Sequence, residues 1–131
     1  MQVPDDLRYT PDHEWLRIEG DEAVMGITEY AATELGDIVF VELPKTGTTL
    51  ESAQSFGVIE SVKTASDLFA PAAGEIIAIN DALADKPELV NDDPYGEGWM
   101  VRLKLSDPAA AGATSDHLMD PDAYRKLVEA G

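Results

Sequence analysis

The stretch SFGVIESVKTASDLFAPAAGEIIAI, residues 55–79, decides the fold. Its opening, SFGVIESV, is strand-like, and DLFAPAAGEIIAI leads away beyond Lys63, so one extended segment arrives at the lysine and another leaves it. Lys63 therefore stands at the tip of a hairpin. Working outward, similar short runs recur at residues 14–18, 23–27, 38–43, 55–62, 75–79 and 99–105, with turn residues between them. Such spacing favours an all-β sandwich or barrel. In the last run Trp99, Val101, Leu103 and Leu105 alternate with Met100, Arg102 and Lys104, which predicts one buried and one wet face. The run IVFVEL at 38–43 is nearly all apolar and predicts a central strand covered on both sides.

Two helices interrupt the strands. The first spans residues 29–35, with Thr28 as N-cap and Gly36 as its stop. The second begins after Asp120, with Pro121 at the first helical position and Tyr124, Leu127 and Val128 on one face. The Ala/Gly-rich residues 109–114 read as a linker before it. GDIVFV from Gly36 and GEIIAI from Gly74 echo each other, which suits two similar β-halves facing one another. Chance similarity between two strands after glycine is nearly as good a reading.

A chain of 131 residues, 44% of them hydrophobic, supports one domain with one core. Its 26 acidic and 9 basic residues give a formal charge of -17, which phosphate backbones and anionic membranes would repel. That argues against nucleic-acid and membrane partners and suits basic faces on protein partners, with a merely soluble surface about as good a reading from charge alone. Cysteine is absent, so the chain has no disulfide, thiolate nucleophile or sulfur ligand of its own. The opening MQVPDDLRYT lacks a signal pattern, and no apolar run approaches the roughly 18 to 20 residues that span a bilayer. The expectation is a bacterial cytoplasmic protein.

Enzyme signatures are missing. His13 and His117 have no ligand-spaced partner, so no metal site is expected, and His13 reads as a structural or surface histidine. No phosphate-cradling or nucleophile-elbow run occurs, so no catalytic residue is assigned. The acidic loop NDDPYGEG at 91–98 lacks EF-hand spacing and reads as a solvated turn. Among five lysines, Lys45, Lys63 and Lys86 lie near turn signals, and only Lys63 sits between two strand-like runs. A tip lysine on rigid strands is open to a modifying enzyme, but an exposed lysine is ordinarily just solvated, and the residues alone leave both readings standing.

The segment VIESVKTASDLFAPAAGEI, 58–76, resembles the lipoyl-lysine region of glycine cleavage H proteins. The resemblance continues in order and at family spacing through YTPDHEW at 9–15, GITEYAATELGDIVFVELPKTG at 26–47, NDALADKPELVNDDPYGEGW at 80–99 and LMDPDAYRKLV at 118–128. Departures are small: Thr64 stands where the family usually has a small residue such as alanine, and the linker before Asp116 is Ala-rich. The resemblance implies a mainly β, hammerhead-type lipoyl domain. It would have two antiparallel sheets in approximate two-fold relation, a short internal helix and a C-terminal helix. The single domain would run over 1–131, with a lipoyl core at about 14–105 and a helical extension at about 106–131.

The same resemblance implies a carrier, not an enzyme. Lipoate in amide linkage to Lys63 would take the aminomethyl group of glycine from glycine decarboxylase and present it to the aminomethyltransferase. Dihydrolipoyl dehydrogenase would reoxidise it, and a lipoyl ligase or transferase would attach it. Glu14, in HEW, and Asp67, in SD, fall on matching motifs and would hold the loaded arm. A small acidic shuttle is expected to be monomeric. The rival readings are another swinging-arm carrier, biotinyl or of the 2-oxo acid dehydrogenase type, and an unmodified structural or binding domain. Biotin carriers usually flank their lysine with methionines, whereas Val62 and Thr64 do so here.

Overall fold

The computed structural model describes residues 2–112 and 118–130, so His117 lies outside the described residues. Two antiparallel sheets face each other across the core. One has six strands in the order β1-β2-β3-β9-β8-β5 and the other three in the order β4-β6-β7. In the larger sheet β1 is Arg8–Tyr9, β2 Glu14–Glu19, β3 Glu22–Ile27, β5 Thr49–Leu50, β8 Gly74–Ile79 and β9 Val101–Leu105. The smaller comprises β4, Ile38–Glu42, β6, Ser55–Ser61, and β7, Ala65–Phe69. The echoing runs thus become β4 and β8, one in each sheet.

Between the sheets lies an apolar cluster that includes Leu16, Met25, Ile59, Leu68, Ile76, Leu83, Met100 and Leu103, all fully buried. Strand alternation supplies most of it. On β9, Val101, Leu103 and Leu105 point in while Arg102 and Lys104 point out, where Arg102 pairs with Glu19 and Glu22. The alternation stops at Val101: Trp99 precedes the strand, and Met100, expected on the wet face, is buried while its N–H donates to Met25 O. A second cluster on the other side of the large sheet gathers Leu7, Tyr9, Trp15, Val24, Tyr95 and Tyr124.

Local signals form the first helix. In α1, Glu29–Leu35, the Thr28 hydroxyl accepts from Ala31 N–H at 3.2 Å, and Gly36 ends the helix at φ 83°, a left-handed backbone that glycine adopts without strain. In α5, Pro121–Ala130, the Asp120 carboxylate caps Ala123 N–H at 2.8 Å. Of the face expected to pack, Tyr124 is buried and Val128 partly buried, but Leu127 is 38% exposed, because the docked face centres on Tyr124. Three further short helices were not expected: α2, Ala82–Asp85, α3, Leu89–Asp92, and α4, Pro108–Gly112. The last occupies much of the supposed linker, since Asp107 bonds Ala110 N–H through its side chain and Ala111 N–H through its carbonyl, and alanine favours helix.

The strand expected to be covered on both sides is instead an edge. β4 pairs only with β6, and a bulge between Ile38 and Phe40 turns two consecutive residues outward, leaving Val39 52% and Phe40 48% exposed. Its apolar run fills the core through buried Ile38 and Val41, with partly buried Leu43 packed against the same cluster. No helix among the described residues is long and apolar enough to cross a membrane.

Candidate functional site

The hairpin β6–β7 carries Lys63 at its tip. Register runs from Ser55 opposite Phe69 to Glu60 opposite Ala65, and Ile59 and Leu68 anchor the ribbon in the core. Four residues close the tip: Ser61 N–H donates to Thr64 O at 2.7 Å, and Thr64 N–H returns to the Ser61 hydroxyl at 3.1 Å. The serine side chain thus takes the place of a backbone carbonyl in the second closing bond. Val62 and Lys63 are left outside the ladder, Val62 76% exposed and Lys63 exposed without an ion pair to any described residue.

The tip does not hang free. Val62 N–H donates to Asp37 O at 3.1 Å, tying the hairpin to the corner between α1 and β4. The lysine stem passes over Gly36, where an added Cβ would lie 3.7 Å from Lys63 Cε. Asn91 on α3 bonds the same corner twice, its amide donating to Gly36 O and its oxygen accepting from Ile38 N–H, both at 2.8 Å. Asn91 was not singled out in the sequence, where it opens the presumed solvated turn. That turn is partly buried: Pro94, Tyr95 and Gly98 lie inside, and Pro94 O accepts from the Trp15 indole at 3.0 Å. The only sequence signal was an amide side chain at the head of an acidic loop; its partners lie 53 and 55 residues away.

Glu14 and Asp67 occupy different environments. Glu14, at the start of β2, is 1% exposed, and its carboxylate accepts from the Thr10 hydroxyl at 2.7 Å and from Phe69 N–H at 3.2 Å. This carboxylate therefore joins the large sheet to the end of β7. Burial pushes its pKa up to about 7, against the lowering effect of the two hydrogen bonds. Asp67 is exposed on β7, two residues before Phe69, and the two share the face opposite Leu68. At about 3.3 Å per strand residue, Asp67 lies roughly 13 Å and Phe69 roughly 20 Å along the ribbon from Lys63. No bond joins Glu14 and Asp67 directly.

His13 is structural, as expected. It sits at φ 68° in the turn before β2, and its Nδ1 lies 2.9 Å from the Tyr124 hydroxyl, with burial holding its pKa below the usual range. Among the described residues no three His, Asp or Glu side chains are grouped to hold a metal ion.

A family model described as "Glycine cleavage H-protein" matches residues 7–131. The chain belongs to the glycine cleavage H-protein family. Similar members include the glycine cleavage system H protein of Bacteroides thetaiotaomicron, 55% identical over 128 residues that cover 98% of each chain. The H protein of Magnetococcus marinus is 57% identical over 129 residues, 98% of this chain and 89% of that protein. In three dimensions, the crystal structure of a glycine cleavage system H protein from Mycobacterium marinum superimposes with a TM-score of 0.86 at 39% identity, covering 97% of this chain and 99% of that one. The two-sheet H-protein fold, with its accompanying short helices, is therefore the fold of this chain.

Proposed function

We propose that the chain is the lipoyl carrier of a glycine cleavage system, with the lipoyl group in amide linkage to Lys63 Nζ. One observation carries this reading: the only lysine on the hairpin tip is exposed and unpaired, while the backbone around it is closed by Ser61 and Thr64 and tied to Asp37. An attaching enzyme needs both features, a free amine and a peptide that stays in place. When bound, the lipoyl dithiolane supplies the redox-active sulfurs for aminomethyl transfer, chemistry that a chain without cysteine cannot provide. The protein residues attach, orient and shelter.

Shelter falls to Asp67 and Glu14 in this reading. A loaded arm folding back along β7 meets exposed Asp67 first and the Glu14 carboxylate further on. An aminomethyl amine is largely protonated near neutral pH, and a carboxylate holds it by a charge-assisted hydrogen bond. Glu14 has both oxygens engaged, but each carboxylate oxygen accepts more than one bond. The partners are glycine decarboxylase, the aminomethyltransferase, dihydrolipoyl dehydrogenase and a lipoyl ligase or transferase, and the protein works as a monomer in the cytoplasm.

The test is intact mass. Wild type and Lys63→Arg are incubated with lipoate, ATP and a lipoyl ligase; wild type gains one lipoyl mass and the variant none. A lipoyl gain on the variant would overturn the assignment. For the shelter, wild type and Glu14→Ala/Asp67→Ala are loaded and spontaneous release of formaldehyde and ammonia is followed. Release at the wild-type rate from a folded double variant would remove both acids from the mechanism.

A further inference from the structure

We propose that Asn91 is a positioning residue for Lys63: its carboxamide fixes the backbone corner at residues 36–38, and that corner holds the hairpin tip so that the lysine projects in one direction. This rests on the reading of Lys63 as the attachment point.

The argument follows a continuous chain of bonds. Val90, the residue before Asn91 on α3, is fully buried, so the helix is anchored in the core. Asn91 then grips the corner at two points, donating to Gly36 O and accepting from Ile38 N–H, each at 2.8 Å. A planar amide bonded at two points fixes orientation as well as distance. The peptide between those points ends in Asp37 O, which accepts Val62 N–H at 3.1 Å. Val62 immediately precedes Lys63, and the lysine stem lies over Gly36, the first residue that Asn91 holds. The corner thus touches the tip through a backbone bond and through the side-chain stem.

Both side-chain bonds of Asn91 leave its own helix. Its two bonds span 53 and 55 residues of sequence, and both end on the segment beneath the lysine. Without the amide, Gly36 O and Ile38 N–H would turn to water, and the corner would follow the intrinsic freedom of a glycine at φ 83°. The hairpin itself would survive, because Ser61 and Thr64 close it independently. Its direction would loosen, and a misplacement of about 1 Å can cost a reaction up to roughly 100-fold.

Asn80 supplies a matched control. Its amide also clasps a loop, donating to Glu97 O and Trp99 O at 2.8 Å while accepting from Ala82 N–H at 3.2 Å, yet it bonds neither the corner nor the tip. Steady-state lipoylation by a lipoyl ligase, with lipoate and ATP, is measured on full-length wild type, Asn91→Ala and Asn80→Ala. The expected result for Asn91→Ala is a fall in kcat of roughly tenfold with KM for the carrier within about twofold, as orientation is lost but docking is not. Asn80→Ala keeps the wild-type kcat. An unchanged kcat in Asn91→Ala, a change confined to KM, or an equal loss in Asn80→Ala would each overturn the proposal.

If Asn91→Ala does not fold, native-state hydrogen exchange on the wild type decides instead: Val62 and Ile38 amides should open together, and free exchange at Val62 with Ile38 still protected would overturn the coupling. A Lys63→Arg protein that still gains a lipoyl mass refutes the attachment site and leaves the exchange result standing as a separate matter.

Discussion

Replacing Glu14 by glutamine should stabilise the protein far more at pH 8 than at pH 4.5. The carboxyl is 1% exposed, and burial pushes its pKa from 4.5 up to about 7. Between those values the folded chain keeps a proton that the unfolded chain has released, so folding loses stability as pH rises through the window. Below about 4.5 both states are protonated and no penalty exists; above about 7 the whole penalty is present. At ~1.36 kcal/mol per unit, the penalty is roughly 3 kcal/mol. Glutamine keeps an oxygen for Phe69 N–H and can donate to the Thr10 hydroxyl, and any mismatch in those bonds is independent of pH. Urea denaturation of wild type and Glu14→Gln at half-unit steps from pH 4.5 to 8 isolates the term, because other titrating groups cancel in the difference. The variant should gain roughly 2–3 kcal/mol on wild type across that range. A stability difference that stays flat with pH would refute the reasoning by showing that Glu14 ionises as readily folded as unfolded.

Three other outcomes follow from the geometry. With a net charge of -17, association with the proposed partner glycine decarboxylase should slow as the Debye length falls from ~30 Å at 0.01 M to ~10 Å at 0.1 M salt, and stopped-flow rates independent of salt would show that the acidity does not steer. Gly57→Ala places a Cβ 2.4 Å from Glu42 O, so β4 and β6 must part, at a cost of roughly 2–3 kcal/mol in denaturant midpoint analysis. Thr28→Val removes both the N-cap to Ala31 N–H and the bond to the Tyr124 hydroxyl at 2.7 Å, and should lose about 2 kcal/mol, with Thr28→Ser restoring most of it.

The sequence revealed what depends on neighbours in the chain. Thr28, Gly36, Asp120 and Pro121 act within one helical turn, and α1 and α5 were legible from them. The same holds for the Lys63 tip, where two strand-like runs flank a turn. What escaped depends on distant partners. β1 and β5 have two residues each and exist because Leu16, Trp15, Glu75 and Gly74 lie opposite them. IVFVEL was misread because apolar content reports neither an edge position nor a bulge. For the site, Lys63 needed only its local context plus the family motif. Asp67 and Glu14 share a motif-based expectation, but only the fold shows one exposed and the other buried and hydrogen-bonded to Thr10 and Phe69. Asn91 was invisible because a two-point clasp across more than fifty residues leaves no periodic trace.

The Tyr124 hydroxyl bonds His13 and Thr28 while its ring stacks on Tyr9 at 4.5 Å, and Tyr9 pairs with Met119. This arrangement sets an order of events during translation. A nascent chain can pair its β6–β7 hairpin as soon as residue 69 has left the ribosome, but the layer around Tyr9 stays open until residues 119–124 emerge. The C-terminal helix is therefore the last piece to be laid down, and it closes a layer whose members Leu7, Tyr9, Trp15 and Val24 were made first.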